Sequence, residues 1–210
     1  MSDILTFLQQ GGWTMYALGF CSLAALTLIL ERGVALRRGR VLPPKLLRRV
    51  HASRAAEDIG GVATLCIRNS SPLARLIEEV SSMKNLNHSQ AVERMHAIGH
   101  SQVARLDRGL TLLEIIAAIS PLLGLLGTVL GMVEVFEAVT AEGLGDPQIL
   151  SDGIAKALST TIAGLCVAIP TLAFHSIYNK RVEAFATEMQ DAATAFLVML
   201  HAPDQEERRK

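Results

Sequence analysis

Among the threonines of the long uncharged runs, Thr128 in one and the adjacent Thr160 and Thr161 in another stand beside small residues. A hydroxyl both donates and accepts a hydrogen bond. Two of them at similar depth on neighbouring helices would line a hydrated path. The alternative is that each bonds back to a carbonyl in the preceding turn of its own helix, the common arrangement for threonine in a membrane. Around them lie small residues four apart, Gly127 with Gly131 and Thr160 with Gly164, and Pro121 and Gly124 precede them in the same run as Thr128. That spacing lets helix backbones approach closely, so tight packing is the ordinary reading of the glycines. An intramembrane proton relay needs a group that is charged and neutral by turns. No Asp or Glu lies in the middle of any of the uncharged runs; Glu114 and Glu134 are near the ends of one, Glu31 is at the edge of another, and His175 is near the end of the third. The runs therefore lack a central carboxylate of their own, which argues against a self-sufficient proton channel.

Other constellations carry less. Glu93, His96 and His100 have a spacing that can seat a metal on one helix face, but a second ligand-bearing helix is missing, so a polar face is expected. The glycines near Thr128 are not followed by the GK[ST] of a phosphate loop. No nucleophile, base and acid set is visible, so neither an enzyme nor a cofactor is expected. Cys21, Cys66 and Cys166 are widely spaced, two of them in apolar runs, and read as small packing residues.

These residues need elements to position them. Half of the 210 residues are apolar and only 19% are charged, with a mean hydropathy of +0.34. Net charge is zero, yet charged blocks alternate with charge-free runs, which argues against a nucleic-acid partner. Three runs are long enough to cross a hydrocarbon core of about 30 Å as helices: Thr14–Leu30 within Ile4–Leu30, Ile115–Val133 and Ala157–Tyr178. No alternating ten-residue strands appear, so an all-α membrane protein with three spans is expected, its partner the lipid bilayer. Residues 1–30 hold no Lys or Arg, and cations follow the first run, the order of an uncleaved first span. The expected organisation is an N-terminus and first span over 1–32, a helical cytoplasmic region over 33–108, a second span over 109–138, a periplasmic loop over 139–152, a third span over 153–178, and a cytoplasmic helix and tail over 179–210.

Orientation follows from the cations. Arg32, Arg37, Arg38, Arg40, Lys45, Arg48, Arg49 and Arg54 follow the first span and Lys180 and Arg181 the third, whereas 139–152 has no Lys or Arg. The positive-inside rule puts 33–108 and the C-terminus in the cytoplasm and the N-terminus in the periplasm. In the cytoplasmic region Ser71-Pro72 offers a helix start, and Leu73, Leu76, Ile77 and Val80 then make one apolar stripe. A second stripe, Val92, Met95, Gly99, Val103, Leu106 and Leu110, runs into span two without a breaker. One long helix is expected from near Ser89 to about Ala138, with Pro121 as its kink. Val182, Phe185, Met189, Ala193 and Phe196 repeat at helical spacing in 179–202. Such stripes with nothing to bury them imply packing against copies of the same chain.

The string Ser120–Gly131, SPLLGLLGTVLG, followed by Phe136, resembles the second-span signature of the ExbB/TolQ/MotA family. GIAKALSTTIAGL over 153–165, ending Ala168-Ile-Pro170, resembles its third-span signature. The resemblance covers essentially the whole chain and is closest to the ExbB and TolQ branches, since the MotA branch has four spans. It implies a homo-oligomer, a pentamer, in the inner membrane, whose second and third spans surround a pore. An ExbD-like or TolR-like single-span partner, carrying an acidic residue, would sit in that pore and pass protons. Work would reach the outer membrane through a TonB-like or TolA-like protein. Carried onto this sequence, the pathway hydroxyls are Thr128 and Thr161, with Thr160 adjacent, and Pro121, Gly124, Gly127, Gly131, Gly164 and Pro170 pack the pore wall. Many members have Glu where this chain has Lys156, so an acidic role there does not carry over. Lys156 instead snorkels to the interface or pairs with Glu134 or Glu137 of a neighbour, as an inter-subunit or pore-mouth charge. The resemblance implies an ExbB-like subunit of a proton-motive-force-driven motor for outer-membrane transport. The alternatives are a TolQ-like subunit for envelope maintenance and cell division, and a membrane scaffold that oligomerises without conducting. Hydroxyls facing a polar pore favour a motor; hydroxyls packed on carbonyls favour a scaffold.

The cation count makes a topology prediction. Single cysteines placed in 139–152 should react with an impermeant maleimide from the periplasmic side of intact cells; labelling from the cytoplasmic side alone would reverse the assignment.

Overall fold

The computed structural model of the chain describes residues 12–52, 59–67, 69–142 and 147–207. The elements within them are all helices: α1 Gly12–Ala35, α2 Arg38–Val41, α3 Pro44–Ala52, α4 Ile59–Ile67, α5 Pro72–Ser81, α6 His88–Glu142 and α7 Pro147–Glu207. Three of them, α1, α6 and α7, are long and apolar enough to cross a membrane. In hydrocarbon every unpaired backbone N–H or C=O is costly, and a helix pairs them all within itself. The all-α class and the three spans expected from the sequence are both present.

The long helix through span two starts one residue before Ser89 and runs to Glu142, and Pro121 lies inside it. Span three and the C-terminal helix form one element, α7. Helices therefore enter the expected 139–152 loop from both sides, leaving 143–146, like the expected N-terminal segment 1–11 and the last three residues, outside the described residues.

The chain divides into two compact units, one of Met1–Glu31 with Gly109–Ile177 and one of Arg32–Arg108 with Tyr178–Lys210. The second of these has an ordinary apolar core. Ser71 caps α5 by accepting from the Ala74 amide at 3.2 Å, with Pro72 at its start. That cap sets the phase of the helix so that Leu73, Leu76, Ile77 and Val80 all turn inward, none more than 1% exposed. Met95 and Leu106 of α6 and Val182, Phe185, Met189, Ala193 and Phe196 of α7 are buried with them. This corrects the expectation that the stripes have nothing else to bury them: they cover one another in large part within a single chain, with Val92, Gly99 and Val103 left half-buried, so the stripes by themselves do not require copies of the chain. The C-terminal end of α7 is tied to the turn before α6 by His201, which is buried. Its Nδ1 lies 3.1 Å from the Leu197 carbonyl and its Nε2 3.2 Å from the Leu86 carbonyl. Cys66 is also buried, and its thiol is pushed up to about 11, first by that burial and then by Glu78 nearby. It stays protonated at neutral pH, as a packing residue would.

The unit containing Gly109–Ile177 is built differently. Only 28% of the most apolar window of α6, and the same share of that of α7, is buried. Leu122, Leu125, Val129, Leu158, Ile169 and Leu172 are exposed, a surface suited to lipid. What holds the helices together is close backbone approach. A Cβ on Gly124 would lie 2.8 Å from the Thr160 carbonyl oxygen, and one on Gly164 would lie 2.5 Å from that of Ser120. Both obstacles are backbone, which cannot rotate aside. Gly131 and Gly153 continue the contact toward the other end, against Ala157 and Val135. The pairs Gly124 with Gly164, Gly131 with Ala157 and Val135 with Gly153 define an antiparallel register.

Two glycines in long helices should thus respond in opposite ways. Gly164→Ala forces α6 and α7 apart and should lower the unfolding temperature in detergent. Gly99→Ala meets nothing within 4 Å and should gain up to about 1 kcal/mol of helix propensity. Equal responses in a thermal melt would show that the close approach does not set stability.

Candidate functional site

The glycine contact brings the hydroxyls together. With no Cβ at Gly124, α7 lies close enough for the Gly124 carbonyl to receive hydroxyls from both helices: Thr128 at 3.2 Å, Thr160 at 3.1 Å and Thr161 at 3.3 Å. Thr128 and Thr161 also face each other, Oγ1 to Oγ1 at 2.5 Å. Ala157 offers a second carbonyl, 3.1 Å from Thr128 and 2.7 Å from Thr160. A hydroxyl has one proton to donate, so these distances describe alternatives. Thr128 donates to Ala157 while accepting from Thr161, or Thr161 donates to Gly124 while accepting from Thr128. The pair reverses its direction by rotating two hydroxyls, without ionising either side chain.

The carbonyl bonding expected of threonines in a membrane is present, and it extends beyond each threonine's own helix. All three hydroxyls reach carbonyls, and these carbonyls belong to the facing helix as well as to their own. Thr160 is closed in completely, at 1% exposed, whereas Thr128 and Thr161 are half-buried. Two further hydroxyls, Thr14 and Ser120, belong to the neighbourhood, and neither was expected in the site. A Cβ on Gly127 would come within 2.9 Å of Thr14 Oγ1 in α1, besides meeting Thr160. Ser120 is fully buried and donates to the Ile116 carbonyl at 2.7 Å. Their polarity within apolar runs was the available signal; which face of the helix they occupy was not.

Of the other expected residues, Pro121 is half-buried and Gly124, Gly127, Gly131 and Gly164 are buried in the contact. Pro170 is exposed on α7. Lys156 and Glu134 form an ion pair of 2.8 Å inside one chain, linking α7 to α6, with side chains 34% and 61% exposed. They lie five and six residues from the hydroxyl pair, about 8–9 Å along the helices. The neighbour's carboxylate invoked from the sequence is thus not required to balance Lys156. His96 Nδ1 faces Gln190 Nε2 at 3.4 Å, and with His100 they line a cavity of about 160 Å³.

With this geometry in hand, comparison with known proteins is informative. The model of the MotA/TolQ/ExbB proton channel family matches residues 69–191, a stretch that contains the hydroxyl pair, the glycine contact and the ion pair. The biopolymer transport protein exbB1 of Vibrio cholerae is 34% identical over 188 residues, 82% of this chain and 78% of that protein. The putative biopolymer transport protein ExbB-like 3 of Synechocystis is 29% identical over 92% of this chain and 93% of its own length. The Tol-Pal system protein TolQ of Haemophilus influenzae is 28% identical over 59% of this chain and 58% of its own. A membrane protein with three spans, close-packed second and third spans and a hydroxyl pair between them, this chain belongs to the MotA/TolQ/ExbB proton channel family.

Proposed function

We propose that the chain is the wall-forming subunit of a proton-driven motor in the inner membrane, N-terminus periplasmic and C-terminus cytoplasmic. It assembles as a homo-oligomer, a pentamer, around an ExbD-like or TolR-like single-span partner. The observation that carries this reading is the reversible hydroxyl pair Thr128–Thr161, half-buried beside a helix contact that no side chain fills. A proton moving along a chain of hydroxyls and water needs each member to accept on one side and donate on the other, and this pair does so in either direction. It has no charge of its own to give. Among the described residues of the spans no carboxylate stands at its depth, so the acid must belong to the partner. The exposed apolar surface of the Gly109–Ile177 unit provides room for both lipid and neighbouring copies.

The ExbB-like role, energising transport at the outer membrane through a TonB-like protein, is supported by the more extensive of the matches, to proteins described as biopolymer transport proteins. The match to a TolQ protein favours a second reading within the same family, a Tol-type subunit acting through a TolA-like protein in envelope maintenance and cell division. A scaffold that only oligomerises is the reading favoured by the carbonyl bonds of all three threonines.

Substitution of the hydroxyls separates motor from scaffold. Thr128→Val and Thr161→Val keep shape while deleting donor and acceptor, and each lost bond is worth only about 1 kcal/mol of stability. The double variant should still assemble, as a pentamer by native mass spectrometry, and should lose proton-gradient-dependent activity with its partner. Full activity in the assembled double variant would reduce the threonines to helix packing.

Lys156 is proposed to be a mouth charge balanced by Glu134 and not a carrier of protons. An ion pair this exposed contributes at most about 1 kcal/mol. Lys156→Gln should therefore assemble normally and keep at least partial activity in a partner-dependent uptake assay. A complete loss with normal assembly would assign Lys156 a direct part in transduction.

A further inference from the structure

The segment after α1 holds the most one-sided charge in the molecule. Between Glu31 and Glu57 the sequence has Arg32, Arg37, Arg38, Arg40, Lys45, Arg48, Arg49 and Arg54, and no Asp or Glu. The positive-inside rule uses these residues to orient the chain during insertion, but it says nothing of what they do afterwards. The fold gives them a fixed arrangement. Leu36, Val41, Leu42, Leu46 and Val50 are buried, none more than 3% exposed, and they hold α2 and α3 onto the core of their own unit. Leu46 and Val50, four apart, form the inner face of α3; Lys45 and Arg48, three apart, stand on its outer face and are exposed, as are Arg37 and Arg40. Arg38 is paired with Glu188 at 2.8 Å, and Arg48 donates to its own helix at the Pro44 carbonyl. Among the described residues Arg37, Arg40, Lys45 and Arg48 meet no carboxylate.

We propose that the exposed face of α2 and α3, centred on Arg37, Arg40, Lys45 and Arg48, is a docking surface for anionic phospholipid headgroups. The partner is identified by charge and by place. The exposed cations begin two residues after α1, a helix long and apolar enough to cross a membrane, and a basic cluster immediately beside such a helix is attracted to the anionic surface of the bilayer. The apolar face of α3 is already occupied by protein, so the helix has nothing to insert among acyl chains as a free amphipathic helix would. The contact is therefore with phosphate groups, electrostatic and screened by salt. It fixes the cytoplasmic region to the leaflet independently of the proton path.

The test uses the purified full chain in a neutral detergent, titrated with short-chain phosphatidylglycerol or with phosphatidylcholine of the same acyl length, with thermal unfolding as readout. Phosphatidylglycerol should raise the unfolding temperature well above the phosphatidylcholine response, and the difference should fade at about 1 M salt, where the screening length is roughly 3 Å. Each cation near an anionic surface is worth about a fivefold change in affinity. The variant carrying Lys45→Gln and Arg48→Gln should then need on the order of 25-fold more phosphatidylglycerol for the same shift. Equal responses to the two lipids, a response to phosphatidylglycerol that survives salt, or a variant that titrates like the parent would each overturn the proposal. So would inorganic phosphate alone reproducing the shift, which would make the site one for free anions. If the variant unfolds early, the lipid and salt comparisons on the parent chain still decide.

Discussion

The structure depends on one steric fact: at Gly124 and Gly164 two helices meet with no side chain between them. A Cβ at either place would collide with main-chain oxygen, and main chain in a helix cannot move without breaking its own hydrogen bonds. In water, apolar burial would bring such helices together. In lipid that force is missing, because the tails are as apolar as leucine, and van der Waals contact plus hydrogen bonds between helices must do so. Small residues allow the contact, and the contact in turn lets the Gly124 carbonyl collect hydroxyls from both helices. Packing and chemistry are the same feature here, since a larger residue at Gly124 would separate the threonines as well as the backbones.

The two units solve the burial problem in opposite ways. In the unit built from Arg32–Arg108 and Tyr178–Lys210, α5 and the adjoining parts of α6 and α7 turn their apolar stripes inward, and Phe196, Ile77 and Leu73 are fully buried. In the other, Leu125, Val129 and Ile162 remain outside, as expected where the solvent is itself apolar. The continuity of α6 and α7 through both environments follows from their sequences. Gly109 at the change of environment in α6, Pro121 beyond it and Pro170 in α7 are all accommodated within continuous helix.

The threonine hydroxyls bond across the helix contact as well as within their own helices. A threonine bonded to a carbonyl is ordinarily a satisfied packing residue. Here three hydroxyls share two carbonyls and one another, so more acceptors lie in reach than there are protons to fill them. Such a set is satisfied in more than one orientation. It stabilises the helix contact in each of them. Lys156, unusual for the family by resemblance, is balanced within the chain by Glu134.

Much of this was legible in the residues alone. Uncharged runs of some 20 residues leave helices as the only way to pair the backbone in lipid, and the stripes Leu73–Val80 and Val182–Phe196 announce helices with one inner face. The helix start at Ser71-Pro72 was equally clear, because a cap is a local arrangement. Spacing also singled out Gly127 with Gly131 and Thr160 with Gly164, and the resemblance to the family added Gly124, Thr128 and Thr161. What spacing does not contain is azimuth and partner. That the stripes of α5, α6 and α7 largely cover each other within one chain, that Lys156 meets its own Glu134, and that Thr14 from α1 reaches Gly127 all depend on how distant segments are rotated about their axes. The helix ends in 139–152 also lay beyond the reach of composition, since a loop without cations looks the same whether or not its flanks continue as helix. Only tertiary structure decides these things, because a helix presents every side chain to some direction and its neighbours choose which.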